Sequence, residues 1–200
     1  MSIKKLGTEV RQDQIAKVAL NLLGSYGMSG LNMKNVARPL GIVPSAIYRH
    51  FKNKDEMVDA AITYFQERLL SNTNAVCAET PDSLERLRML LMRHIKFIQE
   101  NHQSLPRIVF SDDVYNRHPE RKTKVYDLIK CYLKRIGNII SQGQQEGRIR
   151  PDADPETLSL MFLGMIQPAA ILWHMSDGRS NVTKHAEMAW KIFSEYLKAK

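Results

Sequence analysis

Apolar residues recur along most of this chain at steps of three and four, the period of a helix packed along one face. Over residues 8–26 the apolar set is Ile15, Val18, Ala19, Leu22, Leu23 and Tyr26, which predicts an amphipathic helix ended by Gly27. Residues 28–31 read as a loop whose Leu31 plugs a small core. A long helix is predicted over 54–79, with Met57, Val58, Ala61, Ile62, Phe65 and Leu69 as its stripe. Asp55 and Glu56 favour its N-terminus through the helix dipole. Pro81 breaks the chain. Further helices are predicted over 82–101, 105–114, 121–146, 157–175 and 182–198, with 112–119 polar and loop-like. No segment reads as a strand, so the fold class is all-α, with about nine helices.

Residues 157–175 differ from the rest. Leu158, Leu160, Met161, Phe162, Leu163, Met165, Ile166, Ile171, Leu172 and Trp173 leave no polar face, and Pro168 is expected to kink the helix. A helix apolar all round must be covered all round. One side can pack on its own domain, and a partner subunit is the economical cover for the other.

Between the first and the long helix, two short helical patterns flank Leu40-Gly41-Ile42. Gly41 suits a turn that needs a positive φ, and Pro44 suits the first position of a new helix. A turn of about three residues is helix-turn-helix spacing. Val36, Ala37 and Leu40 face inward from the first element, Ile47 and Phe51 from the second. Ser45, Ala46, Tyr48, Arg49 and His50 are left on or near the outward side, a short surface suited to a DNA major groove. Asn32 reads as a helix cap, and the same helix start can hold a phosphate.

Charge sharpens this reading because it is uneven. Through Lys54 the chain holds nine bases and only two acids, +7 of the total +8; the remainder is nearly neutral. A basic end beside a neutral body predicts one polyanion-binding domain, residues 1–53, and one with another task, residues 54–200. Lys34, Lys52 and Lys54 join the candidate double-stranded-DNA contacts, and Lys4 and Lys5 form a basic arm.

The run Gly41-Ile42-Val43-Pro44-Ser45-Ala46-Ile47-Tyr48-Arg49-His50-Phe51, followed by Lys52-Asn53-Lys54-Asp55-Glu56-Met57, resembles the recognition-helix signature of the TetR family of bacterial transcriptional regulators. Gly41, Tyr48, Phe51 and Lys54 stand at the family's offsets, and Val36-Ala37 at its usual Ile-Ala. Two positions depart from it: Val43 stands where Ser often caps the helix, and Ala46 where Thr or Ser often touches a phosphate. The resemblance implies an N-terminal three-helix head and a C-terminal helical domain for ligand binding and dimerisation. It implies a homodimer through the helices near 157–175 and 182–198, a palindromic operator, and a long helix 54–79 that links ligand binding to the heads. A repressor released by a small, mostly apolar effector is the expected function.

Candidate effector-pocket residues are His94, Phe97, Phe110, Tyr115, Met161, Met165, Gln167, Trp173 and His174, bulky apolar groups with sparse polar anchors. An alternative keeps DNA binding but gives control to a protein partner, as in TetR-like nucleoid-associated or cell-division regulators, with Arg86, Arg88 and Arg93 as the partner face. An enzyme is the remote alternative. The chain has no glycine-rich phosphate loop, no Gly-x-Ser-x-Gly elbow and no closely spaced histidine ligands, so neither cofactor nor metal is expected. Cys77 and Cys131 are too few for a disulfide framework. No run of roughly 18 apolar residues predicts a membrane span, and the polar, basic start has no signal-peptide core, so the expected location is the cytoplasm.

Overall fold

The computed structural model describes residues 7–101, 108 and 111–199, and among these described residues eight α-helices are complete. They are α1 (Thr8–Gly30), α2 (Met33–Ala37), α3 (Pro44–Ile47), α4 (Lys54–Glu79), α5 (Ser83–Asn101), α6 (Pro119–Gln145), α7 (Pro155–Met175) and α8 (Val182–Leu197). The basic arm with Lys4 and Lys5, and most of the helix expected over 105–114, lie outside the described residues. Residues expected as a polar loop instead form a π-helical turn at Asp113–Arg117, held by Arg117 Nε donating to Asp112 Oδ2 at 2.8 Å.

Side-chain caps set several helix starts. Asn32, Asn53, Asp154 and Asn181 each accept a backbone N–H three residues on, at 2.7–2.9 Å. Gly147 supplies the positive φ that ends α6. Gly27, the expected end of the first helix, adopts φ 66, ψ −162, and a further turn resumes beyond it to Gly30. The first helix also sits slightly rotated from the expected stripe. Ala16 and Leu20 are buried with Ile15, Ala19 and Leu23, whereas Tyr26 is 63% exposed.

Helix α1 packs on α4, and α4 in turn on α5 and α6. At the other end α6 packs on α7, α7 on α8, and α5 on α6 and α8. One connected set of buried side chains runs from Ile15 to Leu197. Helix α7 passes through Pro168 without interruption. By length and composition it is apolar enough to cross a membrane, with a mean hydropathy of 1.4 over its most apolar stretch. The run-length expectation missed this because Thr157, Ser159, Gln167 and His174 interrupt the run without lowering its average much. Only 39% of that stretch is buried within the chain. Leu160, Met161, Leu172 and Met175 on α7, and Met188, Ile192 and Tyr196 on α8, are large apolar side chains left exposed.

Candidate nucleic-acid interface

The head is built around two short elements with little propensity of their own. Val36 and Ala37 of α2 and Ile47 after the turn are almost completely buried, and Phe51 is nearly so. Gly41 bends the chain between them at φ 65, ψ 29, with its N–H donating to Arg38 O at 3.2 Å. Asn35 ties α2 to the end of α1 by donating from Nδ2 to Gly30 O at 2.8 Å. Helix α3 starts with Pro44 at its first position and has no side-chain cap at Val43, as the sequence departure implied.

With Ile47 inward, Pro44, Ser45, Tyr48 and Arg49 stand exposed, Tyr48 at 59%. Asn32, Lys34 and Lys52 are also exposed, whereas Ala46 and His50 are half-buried. Among the described residues, Nδ1 of His50 is shielded and has no hydrogen-bond partner. Lys54 is half-buried, and its ammonium donates to Met28 O rather than pointing away from the head. Arg38 and Val43 were not among the expected DNA contacts. Both are exposed, Val43 at 64%, and Val43 adds an apolar spot beside Tyr48's helix. The surface therefore combines backbone N–H groups at helix starts, a phenol, a hydroxyl and a basic rim. Such a set can grip phosphates and touch base edges.

Directly behind this surface, the start of α4 is fastened to the C-terminal helices. Arg121 of α6, only 2% exposed, donates from Nε to Asp59 Oδ1 at 2.8 Å and from Nη1 to Asp113 Oδ2 at 2.7 Å. Its Nη2 donates to both the backbone O and Oδ1 of Asp55 at 3.1 Å. Burial works against the guanidinium charge, but the hydrogen bonds and charges of these aspartates outweigh it and raise the Arg121 pKa. His118 faces the same group, with Nε2 3.7 Å from Asp55 Oδ1 and 3.8 Å from Asp113 Oδ1, and Nδ1 2.8 Å from Glu120 Oε1. Asp55, Asp113 and His118 thus bring three potential metal-ligand atoms within 4.8 Å of one another. No sequence spacing announced this group, because it joins α4, the π-helical turn and the start of α6.

The sequence of the head matches the family model of bacterial regulatory proteins of the tetR family over residues 15–61. Residues 80–197 match the tetracyclin repressor-like C-terminal domain. The chain belongs to the TetR family. Members of this family are transcription regulators that bind DNA and dimerise. Similar proteins include the nucleoid occlusion factor SlmA of Vibrio atlanticus (strain LGP32), 26% identical over 94% of this chain and 95% of that one. The HTH-type transcriptional repressor KstR2 of Mycobacterium tuberculosis is 25% identical over 84% of this chain and 83% of its own. The structure of that ketosteroid transcriptional regulator superposes with a TM-score of 0.71 at 21% identity, covering 100% of this chain and 98% of that chain. The transcriptional regulator FadR of Bacillus subtilis, solved in complex with stearoyl-CoA, superposes with a TM-score of 0.69 at 19% identity, covering 92% and 98%.

In the TetR-like body, the candidate pocket residues that the structure describes differ in their surroundings. His94 is buried, and its Nδ1 lies 3.2 Å from the Tyr132 hydroxyl. Burial pushes the His94 imidazole down to about 4 and the Tyr132 phenol up. The Phe97 ring lies tilted by 39° against that of Phe65 of α4, with centroids 5.9 Å apart. Trp173 is buried beside Gly178, with the nearest indole atom 3.5 Å from where a β-carbon would stand. Met161 is half-exposed on the opposite, uncovered side of α7, while Met165, Gln167 and His174 are partly buried. Phe110 lies outside the described residues, as does the side chain of Tyr115.

The arginines suggested as a partner face are engaged within the chain. Arg86 is buried and donates to Thr80 O at 2.7 Å and Gln142 Oε1 at 2.6 Å. Arg88 pairs with Glu85 at 2.7 Å, and Arg93 with Glu79.

Proposed function

We propose that this TetR-family regulator is a homodimeric repressor that reads a palindromic operator and is released by a small, mostly apolar effector. The observation that carries the reading is the division of α3 and its flanks. Ile47 and Phe51 are locked in the core, while Pro44, Ser45, Tyr48 and Arg49 face out above a basic rim. Tyr48 packs its ring on sugar or a thymine methyl and offers its hydroxyl to a phosphate; Ser45 and Pro44 meet bases or the adjoining backbone. Lys34, Lys52 and the starts of α2 and α3 grip phosphates, with Asn32, Ala46, Arg49 and His50 at the margin and Lys54 turning outward from Met28 on contact. The DNA-reading unit is residues 1–53, and 54–200 is the regulatory and dimerising unit, acting in the cytoplasm at the nucleoid.

The uncovered apolar side of α7 and α8 supports dimerisation through these two helices. Two heads held about one DNA turn apart then read the two halves of a palindrome. The similarity to FadR solved with stearoyl-CoA and to the ketosteroid regulator KstR2 supports an apolar effector, to be sought among acyl and steroid-like compounds by binding assay. The likeness to SlmA supports a second reading, control of nucleoid occupancy through a protein partner.

Selection of bound duplexes from a random DNA pool at moderate salt separates these readings. A palindrome enriched by the wild type and lost in Tyr48→Ala is the expected result, with specific binding weakened by about 1–3 kcal/mol. A folded Tyr48→Ala protein that binds the selected site normally refutes the role given to α3. Enrichment without a motif favours the second reading.

A further inference from the structure

We propose that Arg121 is a positioning residue for DNA reading: it fixes the angle at which the C-terminal helices hold the head, although it is too buried to touch DNA. This inference rests on the proposed reading of α3. Only residues 48–53 separate the end of α3 from the start of α4, so the first turns of α4 carry the recognition surface. Those turns are held to α6 by polar contacts. Arg121 grips Asp55 and Asp59, one turn apart on α4, while its remaining edge grips Asp113 of the π-helical turn. Lys124, one turn along α6, extends the same seam by donating from Nζ to Thr63 Oγ1 at 2.6 Å and Asp59 O at 3.3 Å.

A planar fork of donors sets both distance and angle, which an apolar contact of the same size does not. The group holds three aspartates around one buried arginine, so the guanidinium has no equivalent position to slide to without leaving a carboxylate unpaired. Helix α6 carries Arg121 at its start and packs along its length on α7. A shift of α6 in response to events in the body therefore reaches the head through this fork, as a change in which aspartates it holds.

The test uses the full-length protein with Asp55→Asn and Asp59→Asn together, both side chains being about half-exposed in the native fold. Two readouts are taken. One is affinity for the selected operator; the other is the head-to-head distance distribution without DNA, from spin labels at Ser45→Cys in a Cys77→Ser, Cys131→Ser background. The expected result is operator binding at least tenfold weaker and a visibly broader distribution, with the dimer intact. Removing two negative charges beside DNA strengthens salt-dependent binding, so weakening cannot come from charge alone. Unchanged affinity overturns the inference, and so does weaker binding with an unchanged distribution. If the double variant does not fold, Asp59→Asn alone carries the same two readouts. If the wild type selects no operator, the reading of α3 fails, and the distance distribution still judges the fork by itself.

Discussion

Replacing Ile192 with Glu tests the uncovered side of the body. Ile192 is 74% exposed in the single chain and stands one turn from Met188 and one from Tyr196, and Met175 and Leu172 of α7 are exposed apolar groups as well. Full burial of an isoleucine side chain is worth about 1.5–3 kcal/mol, so roughly three-quarters of that, about 1–2 kcal/mol, is available at an interface. A twofold dimer counts each position twice, giving about 2–4 kcal/mol, or about 30- to 1,000-fold in the dimer dissociation constant. Burying two glutamates adds to the loss. Sedimentation velocity across a concentration series reads the constant directly, and operator binding should become steeply dependent on protein concentration. Tyr126→Glu is the control, because Tyr126 is likewise an exposed apolar group (60%), carried by α6 rather than by α7 or α8. If Ile192→Glu sediments as the wild-type dimer at micromolar concentration, or if Tyr126→Glu dissociates it equally, then α7 and α8 do not form the interface.

Two other changes probe the body. The His94 imidazole titrates near 6.5 in the unfolded chain but at about 4 when folded. The unfolded state alone binds this proton between those values, so stability should fall as pH drops from 6.5 to 4, by up to about 3 kcal/mol, and His94 should add nothing further below. Urea unfolding across that range should show the slope in the wild type and not in His94→Gln; an equal slope in both assigns it elsewhere. Gly143→Ala would bring a β-carbon to 2.6 Å from Ile149 Cδ1 and 2.9 Å from Ser83 Cβ, and overpacking of this kind costs about 1–3 kcal/mol. A thermal melt should fall by several degrees, and an unchanged melt would mean that the α6–α5 seam is looser than it looks.

The long helices were legible because each carries its own punctuation. Asn53 and Glu79 bound α4 where the stripe from Met57 to Leu69 required it, and Asn181 and Asp154 cap their helices as short-range chemistry dictates. The turn at Gly41 and the inward pair Ile47 and Phe51 were legible for the same reason. What escaped was long-range. Tyr26 fits the apolar period, but the break at Gly27 and the rotation of α1 leave it outside the core. The turn at Asp113–Arg117 owes its form to Asp112 and to Arg121, not to any local period. Arg121 looked like the start of an amphipathic helix because its partners on α4 lie 62 and 66 positions away. Of the candidate residues on α7, Trp173 is buried and Met161 exposed, a difference that residue type alone does not predict for a helix apolar all round.

Helix α3 has consequences for how the head melts. It is four residues long and lacks a side-chain cap, and a helix of that length has no stability in water by itself. Its shape is maintained by Ile47 and Phe51 seated among α1, α2 and α4. Amide exchange at residues 45–50 should therefore proceed by opening of the whole head rather than by fraying of one turn. A modest rise in temperature that loosens this small core would abolish sequence reading while α5 to α8 stay folded. The protein would then be a dimer still intact but blind to its operator.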